Sequence, residues 1–289
     1  MSEQRIATTD GRERAINGAV IDKFAADLRG ELLRADDPRY DAARKVWNGM
    51  INKRPALIAR CMGAADVVSC VRFAREYDLL VSVRGGGHNY AGKSVCAGGL
   101  MIDLSPMKGI RVDPAARTAR AQPGVRFGEC DRETQAFGLA TTLGVNADTG
   151  IAGLTLGGGY GWLAGKFGLA CDNLLSVDVV TVDGRLVVAR ATENEDLFWG
   201  IRGAGANLGI VTSFEYQLHP VGPVLGGMVV YPINQGREAL NSTTNFPTPA
   251  PTRSVRRRSC SRPRPVIRLW RSLSAIAGPS IVVRRSWNR

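Results

Sequence analysis

The sequence has little of several features that assign a function by themselves. It contains only 2 histidines in 289 residues, and its six cysteines form no CxxC pair and show no metal-ligand spacing. Cysteines scattered through a chain of this length are more often buried thiols than disulfides. No apolar run approaches the roughly 20 residues of a membrane span, and the polar start has no secretory signal. We therefore expect a soluble, cytoplasmic protein without a metal site.

Acidic residues are absent from the C-terminal part, which changes the meaning of the net charge of +12. Residues 239–289 hold eleven arginines, no lysine and no acid, so residues 1–238 hold the other 27 basic residues against all 26 acidic ones. The larger part of the chain is nearly neutral, and its charge does not predict a nucleic-acid ligand. The length suffices for one large core or two ordinary ones.

A glycine-rich stretch at residues 83–92, VRGGGHNYAG, has the strongest functional signal. His88 follows three consecutive glycines at the end of an apolar run, residues 79–83, that is typical of a buried strand. Glycines let the backbone approach a ligand closely, and successive free N–H groups form a concave anion site. The stretch predicts a phosphate loop with a nucleophile at its tip. The alternative is a glycine turn with an incidental exposed histidine.

The segment before this loop reads as a β-α-β unit. Strands are predicted at Leu57–Arg60 and at 79–84, with a helix at 64–77 between them. Open α/β sheets hold ligands at the carboxyl ends of their strands, which is where this loop lies. An earlier amphipathic helix is expected at 20–28, after a polar lead. Downstream we expect strands at 100–104, 109–112, Thr118–Ala121, 174–182, 185–189 and 209–218, and helices at 127–137 and 193–201.

Two further glycine-rich segments follow. Residues 144–161, GVNADTGIAGLTLGGGYG, hold glycines that would break an ordinary helix, which favours close approach or positive φ over simple packing. Residues 202–207, RGAGAN, form the third segment. Three such loops from distant parts of the chain suggest convergence on one extended ligand with a phosphate centre, such as a dinucleotide.

Taken together, the motifs resemble the FAD-binding domain of the berberine bridge enzyme-like oxidases, in the vanillyl-alcohol oxidase superfamily. They are RGGGHNYAG, LGGGYGWLAGKFGLACDNL, VTVDGRLV and DLFWGIRGAGANLGIVTSFEYQL, and the resemblance covers about residues 35–232. It implies an α+β fold, in which a PCMH-type FAD-binding domain of two α/β subdomains (35–222) follows an N-terminal lead (1–34). NAD on a Rossmann domain is the weaker alternative, because the triple glycine and its position do not fit GxGxxG after a first strand.

The resemblance implies that FAD is the cofactor and that the His88 ring is bonded to the 8α-methyl carbon of the flavin. Residues 84–87 and Asn89 would hold the pyrophosphate and ribityl region. Backbone N–H donors can carry the diphosphate charge without a lysine cluster. The full set implied for cofactor binding, besides His88, is Arg84, Gly85, Gly86, Gly87, Asn89, Gly124, Gly144, Val145, Gly150, Gly153, Gly158, Gly159, Tyr160, Gly161, Ile210 and Val211.

One position departs from the pattern of many members of this family. They attach the flavin a second time through the cysteine of a G-x-C motif, and the matching residue here is Asn146. Attachment through His88 alone is therefore implied. Cys171 lies in the same region, but we expect it to be a packed thiol. Tyr160 and Trp162 either face the flavin ring or pack in the core, and packing is the commoner role.

The reaction implied by the resemblance is the oxidation of a carbon that bears a hydroxyl or an amine in a small molecule. The flavin takes the hydride, and a base removes the other proton. No residue is assigned as this base, because the family supplies it largely from a separate substrate domain. The alternative is an FAD-binding fragment without activity. The sequence assigns neither a substrate nor an oligomeric state.

The end of the chain departs from the family pattern. A strand at 224–231 and a helix at 236–241 resemble the start of a substrate domain (223–242), whereas residues 243–289 are rich in Arg, Pro and Ser with little periodicity. Such a segment buries too little apolar surface to offset its ordering entropy. It is interpreted as a basic arm for nucleic acid or a membrane surface, as a linker, or as the product of a coding-frame shift near Ser242. Composition favours the last, so we expect no nucleic-acid or membrane partner.

Overall fold

The structure is a computed structural model that describes residues 3–222, 229–244 and 266–269. Its strands are β1 (Glu3–Ala7), β2 (Glu13–Asn17), β3 (Glu31–Leu33), β4 (Leu57–Arg60), β5 (Val81–Arg84), β6 (Leu100–Asp103), β7 (Ile110–Asp113), β8 (Thr118–Ala121), β9 (Leu139–Ala140), β10 (Leu174–Val180), β11 (Leu186–Arg190), β12 (Ile210–Gln217), β13 (His219–Pro220), β14 (Val229–Pro232) and β15 (Val266–Leu269). Its helices are α1 (Gly18–Ala26), α2 (Tyr40–Ala43), α3 (Ala64–Glu76), α4 (Phe127–Gln135), α5 (Ile151–Leu156), α6 (Ala164–Phe167), α7 (Glu195–Ile201) and α8 (Gly236–Thr244).

The first unit is built on a four-stranded sheet in the order β3-β4-β6-β5. The β4, β6 and β5 strands are parallel, and β3 is antiparallel to β4. Helix α3 connects β4 to β5, as the β-α-β prediction requires, and its Phe73 ring stacks on Phe24 of α1 at 4.1 Å between ring centroids. Strand β5 ends at Arg84, so the glycine loop begins at the carboxyl edge of this sheet.

An N-terminal hairpin that the sequence analysis did not predict also belongs to this unit. Strands β1 and β2 pair antiparallel, and the Ala7 N–H donates to Gly98 O at 2.7 Å. Only one residue of each strand is buried, Ile6 and Ile16, and both lie in the first core. Because no other residue of these two strands is buried, the composition of the hairpin is that of a polar lead. Helix α1 follows where a helix was predicted.

The second unit is built on a five-stranded antiparallel sheet in the order β11-β10-β12-β8-β7. Helices α4, α5 and α7 supply residues to its separate core, which includes Cys130, Ile151 and Phe198. In that core the hydroxyl groups of Thr155 and Tyr216 form a buried hydrogen bond of 2.7 Å. The structure thus confirms the predicted α+β fold with two α/β units.

The part of the chain beyond residue 222 is described only in pieces. Strand β14 and helix α8 lie where a strand and a helix were predicted, and β14 pairs antiparallel with β15. Strand β15 lies inside the segment predicted to be irregular. The rest of that segment, residues 245–265 and 270–289, is outside the described residues, and the interpretations of it stay predictions.

The described residues bear on the expectations about the cysteines and about membrane-spanning helices. Their five cysteines are all free and buried, as expected for packed thiols, whereas Cys260 lies outside the described residues. Within the described segments there is no helix of the length and apolarity needed to cross a bilayer.

The stacked pair Phe24–Phe73 gives a direct test of the first core. Phe73 is 7% exposed, so Phe73→Ala leaves a cavity and we expect it to lower the free energy of unfolding by about 3–5 kcal/mol. Phe137 is 51% exposed, and Phe137→Ala should change the same quantity by only about 0.5 kcal/mol. Denaturant unfolding measures both. Equal effects of the two variants would contradict the assignment of Phe73 to the core.

Candidate functional site

A cleft of about 620 Å³ opens at the carboxyl end of β5. Its volume lies in the range of small-molecule and cofactor sites. Both units contribute to it, together with the segment that follows α2. Its lining residues are Ala42, Lys45, Val46, Trp47, Arg84, Gly85, Gly86, Gly87, His88, Ser105, Lys108, Gly124, Arg126, Glu129 and Asp148.

The glycine loop presents unpaired backbone donors at this cleft. No described group accepts a hydrogen bond from the backbone N–H groups of residues 85–89. Gly87 is buried and has a φ of +72°, a conformation that favours glycine. Buried backbone N–H groups are rarely left without an acceptor. The loop therefore has the donor set of an anion-binding site, as the sequence predicted.

Contact between two glycines joins the first glycine loop to the second glycine segment. A Cβ atom placed on Gly86 would lie 2.4 Å from Gly150 Cα, and one placed on Gly150 would lie 2.5 Å from Gly86 Cα. Side chains at either position would separate the two backbones. The predicted convergence of the first two glycine segments is thus found at Gly86 and Gly150.

The Arg84 side chain lines the cleft, and all the hydrogen-bond donors of its guanidinium are taken up by acceptors within the protein. Its Nε and one terminal nitrogen donate to the Asp103 carboxylate at 3.0 and 2.9 Å, and the latter nitrogen also donates to Ser105 Oγ. The other terminal nitrogen donates to Ala43 O at 2.5 Å and to Lys45 O at 3.0 Å. An arginine has five N–H donors, and all are used. This clamp was not anticipated, because sequence reasoning assigned Arg84 to the pyrophosphate.

Basic side chains outside the glycine motifs also line the cleft. Lys108 donates to Glu129 at 2.6 Å, and Arg126 forms an ion pair with Asp148 at 3.2 Å. No carboxylate among the described residues pairs with Lys45. Sequence reasoning expected backbone donors without a lysine cluster. These residues were not predicted because they are far apart in sequence and belong to no recognisable motif. Only the fold brings them together at the cleft.

His88 lies at the end of the donor loop, where its ring stacks on Trp47 at 5.3 Å between centroids and an angle of 23°. Partial burial lowers the pKa of His88, and the nearby Arg126 charge lowers it further, whereas Asp148 raises it. The net direction is downward from an ordinary value of about 6.5. A neutral imidazole at neutral pH has a free nitrogen lone pair, so His88 is suited to act as a nucleophile.

Several residues implied by the resemblance lie away from the lining of this cleft. Asn89 is exposed, and its side-chain oxygen accepts from Lys93 N at 2.9 Å. Ile210 and Val211 are buried in the hydrophobic cores on β12. Of the predicted set, the structure brings together in the cleft only Arg84, Gly85, Gly86, Gly87, His88 and Gly124, with Gly150 directly behind Gly86.

The remaining glycines of the second segment have local roles in the second unit. Gly158 and Gly159 have positive φ, and Cβ atoms on Gly159 and Gly161 would clash with Ala170 and Leu143 O. Gly153 lies inside α5, so the prediction that it breaks a helix was wrong. Its helix is only six residues long and ends before Gly157. Gly144, Val145 and Tyr160 also lie outside the lining of the cleft.

The third glycine segment contributes no described residue to the lining of the cleft. It contains one 3-10 turn, Gly205–Leu208. Gly209, directly after it, has a φ of +136°, and a Cβ there would lie 2.8 Å from Val180 O. The expected convergence of all three segments stays a prediction. At Gly209 the backbone is glycine because it packs against β10.

The position that matches the second attachment site has no thiol. Asn146 is exposed, and its side-chain oxygen accepts from Asp148 N at 3.1 Å, which closes a turn beside the cleft. Burial raises the pKa of the Cys171 thiol, so this cysteine is a packed, protonated side chain. The second histidine, His219, stacks on Phe167 at 4.0 Å and contacts Asn173 at 2.7 Å, away from the cleft.

Comparisons with known proteins agree with this geometry. Residues 55–190 match the FAD binding domain family. The chain is 43% identical over 192 residues to (R)-6-hydroxynicotine oxidase of Paenarthrobacter nicotinovorans, covering 66% of this chain and 42% of that one. The crystal structure of 6-hydroxy-D-nicotine oxidase from Arthrobacter nicotinovorans superimposes with a TM-score of 0.71 at 39% identity, over 74% of this chain and 50% of that one.

A third relative bears on how the cofactor is held. Glucooligosaccharide oxidase of Acremonium strictum, with a 6-S-cysteinyl, 8α-N1-histidyl FAD, superimposes with a TM-score of 0.70 at 29% identity, over 77% of this chain and 48% of that one. The chain contains an FAD-binding domain, and its relatives are FAD-linked oxidoreductases, among them a berberine bridge enzyme-like protein of Physcomitrella patens. It spans about half the length of the curated relatives that it matches.

The described residues of this FAD-binding domain fit the cofactor. FAD combines a doubly charged diphosphate with an extended body, and the cleft offers free N–H donors on residues 85–88 beside Lys45. Contact between Gly86 and Gly150 keeps side chains out of the floor of the loop. Backbone N–H groups and one unpaired ammonium therefore form the set that would hold the diphosphate.

The contact between the two glycines gives a test of the cofactor site. In Gly86→Ala the new Cβ meets backbone atoms of Gly150 that cannot move aside, so we expect the affinity for FAD to fall about 10-fold or more. Gly63→Ala is the control, because a Cβ there meets nothing within 4 Å. Flavin absorbance of the purified proteins measures the bound cofactor. Full flavin content in Gly86→Ala would contradict the site.

Proposed function

We propose that this chain is an FAD-dependent oxidase domain whose flavin is attached covalently through His88. The reaction is the oxidation of a carbon bearing a hydroxyl or an amine in a small molecule. The observation that carries the proposal is the position of His88, directly after the unpaired N–H donors of the glycine loop and on the wall of the cleft. Such a position lets one short segment bind the diphosphate and bond to the ring system.

The chemistry of the cleft supports the histidine as the attachment residue. None of the described cysteines lines the cleft, and the imidazole has a lowered pKa that keeps it neutral at neutral pH. Attachment replaces one C–H bond of the 8α-methyl group and the imidazole N–H bond with one N–C bond. The two protons and two electrons released pass to dioxygen, which becomes hydrogen peroxide. Because Asn146 is not a thiol, we propose this single link.

Relatives support the class of substrate. They include oxidases named for 6-hydroxynicotine, a compound with carbons bonded to nitrogen, and for glucooligosaccharides, compounds with carbons bearing hydroxyl groups. Bound flavin supplies the acceptor for the hydride in either case. The glycine loop contributes the wall that binds the cofactor, and the exposed rings of Trp47 and Tyr90 lie beside His88.

The two histidines of the chain form a matched pair for testing the covalent link. We expect the purified protein to be yellow and to keep its flavin through acid precipitation, and His88→Ala to lose the acid-stable flavin completely. His219→Gln, which keeps a donor for Asn173 outside the cleft, should retain it. Flavin fluorescence in a denaturing gel reads both variants. Acid-stable flavin in His88→Ala would refute the link, and a folded but flavin-free parent chain would refute the FAD-dependent function.

The lowered pKa of His88 predicts the pH dependence of attachment. Only the neutral imidazole is nucleophilic, so the rate should stay constant near pH 7 and fall as the pH drops through a value below about 6.5. Arg126→Gln removes a charge that lowers this pKa, and it should move the midpoint to higher pH. Acid-stable flavin formed from apoprotein and FAD, measured from about pH 5 to pH 8, gives the profile. A midpoint above about 6.5, the ordinary pKa of histidine, would contradict the lowered pKa of His88.

A further inference from the structure

The segment that follows α2 is placed to control the orientation of His88. Its Trp47 is 59% exposed, which is unusual for so large an apolar ring, and its indole stacks on the imidazole. The Trp47 and Tyr90 rings also contact each other, at 6.4 Å between centroids. The exposed indole therefore has a defined partner in the cleft.

Hydrogen bonds from this segment reach both sides of the attachment residue. The backbone N–H of Trp47 donates to the backbone oxygen of Gly87 at 3.0 Å, and Gly87 immediately precedes His88. The Asn48 side-chain amide donates to Tyr90 O at 2.9 Å, two residues after His88. These two bonds, which we call the bracket, restrain the backbone on either side of the imidazole while the indole lies along its face.

The bracket is itself anchored to the rigid part of the first unit. Arg84 donates to Ala43 O and Lys45 O, and it is fixed in turn by the fully buried Asp103. Ala43, Val46 and Ile51 pack against a core cluster that includes Tyr40 and Ile58. Consequently the segment that carries Trp47 is held by the same arginine that ends β5, so the fold sets the distance from this segment to the glycine loop.

We propose that Trp47 is a positioning residue for flavin attachment, holding the His88 imidazole in the orientation in which its ring nitrogen meets the 8α carbon. The inference rests on the proposed covalent link. A ring that is already oriented does not have to lose rotational freedom on reaching the reactive geometry, and orientation of this kind accelerates reactions between held groups. Trp47 acts through His88, and binding of the cofactor is left to the glycine loop.

Attachment kinetics separate positioning from binding. Apoprotein of the full chain, produced under riboflavin limitation, is mixed with FAD at several concentrations, and acid-stable flavin is followed in time. We expect Trp47→Ala to lower the maximal attachment rate about 10-fold or more with little change in the FAD concentration for half-maximal rate. Trp47→Phe, which keeps an aromatic face, should restore most of the rate. Trp199→Ala, an exposed tryptophan on α7, is the matched control.

A second experiment uses a variant in which the covalent attachment cannot form. In a His88→Ala background FAD binds only reversibly, and the added Trp47→Ala change should alter the dissociation constant less than twofold, since the glycine loop is untouched. A large loss of affinity in this double variant, or an unchanged maximal rate in Trp47→Ala, would overturn the positioning role. Failure of the covalent link itself is distinct from both, because it shows as a parent chain without acid-stable flavin.

Discussion

The buried ion pair between Arg84 and Asp103 is the constraint on which the site depends. The Asp103 side chain is completely buried, and its carboxylate accepts from Arg84 Nε and one terminal nitrogen and from Ser105 N. An unpaired charge at this depth would cost several kcal/mol, so the arginine is held in one geometry. The remaining donors then fix the segment that follows α2. One ion pair thus joins the ends of β5 and β6 to the wall of the cleft.

Close backbone contacts shape the floor of the same region. Gly86 touches Gly150, and Gly124 lies against Leu104 O, Ser105 O and Met107 O, with no room for a Cβ at these positions. At Gly86 and Gly150 the two units meet through main-chain atoms. A surface of this kind offers hydrogen-bond donors rather than side-chain charges. It suits a ligand with a charged centre and a long, largely uncharged body, which agrees with the FAD-binding domain of the relatives.

Local patterns predicted the parts of the fold that depend on neighbouring residues. Strands β4 and β8 were predicted with their observed bounds, because each is a short run with turn residues on both sides. The β1–β2 hairpin was missed because its burial rests on Ile6 and Ile16 alone. Likewise the glycines at 85–87 and His88 were found from their spacing. Trp47 and Lys45 were not found as site residues, because only tertiary structure brings them beside the loop.

Resemblance to a family extended the predictions to residues that the cleft does not itself identify. It implied Ile210 and Val211 as cofactor contacts, which stays a prediction; their side chains lie in the cores of the two units. It also assigned Arg84 to the pyrophosphate, while the structure shows its donors engaged within the protein. Motifs record which residues recur together, and they do not separate a residue that touches a ligand from one that holds the binding loop.

The order of strands in the two sheets has a consequence for how the chain folds as it is synthesised. The first sheet is complete once Asp103 has emerged, since its strands lie within residues 31–103. The second sheet must wait for β12, because Phe214 pairs with Ala121 across almost a hundred residues of chain. Pairing over such a separation is slow, and domains form from the N-terminal side during translation. The nascent protein therefore has its glycine loop and its indole in place well before Gly150 arrives to close the floor beneath them.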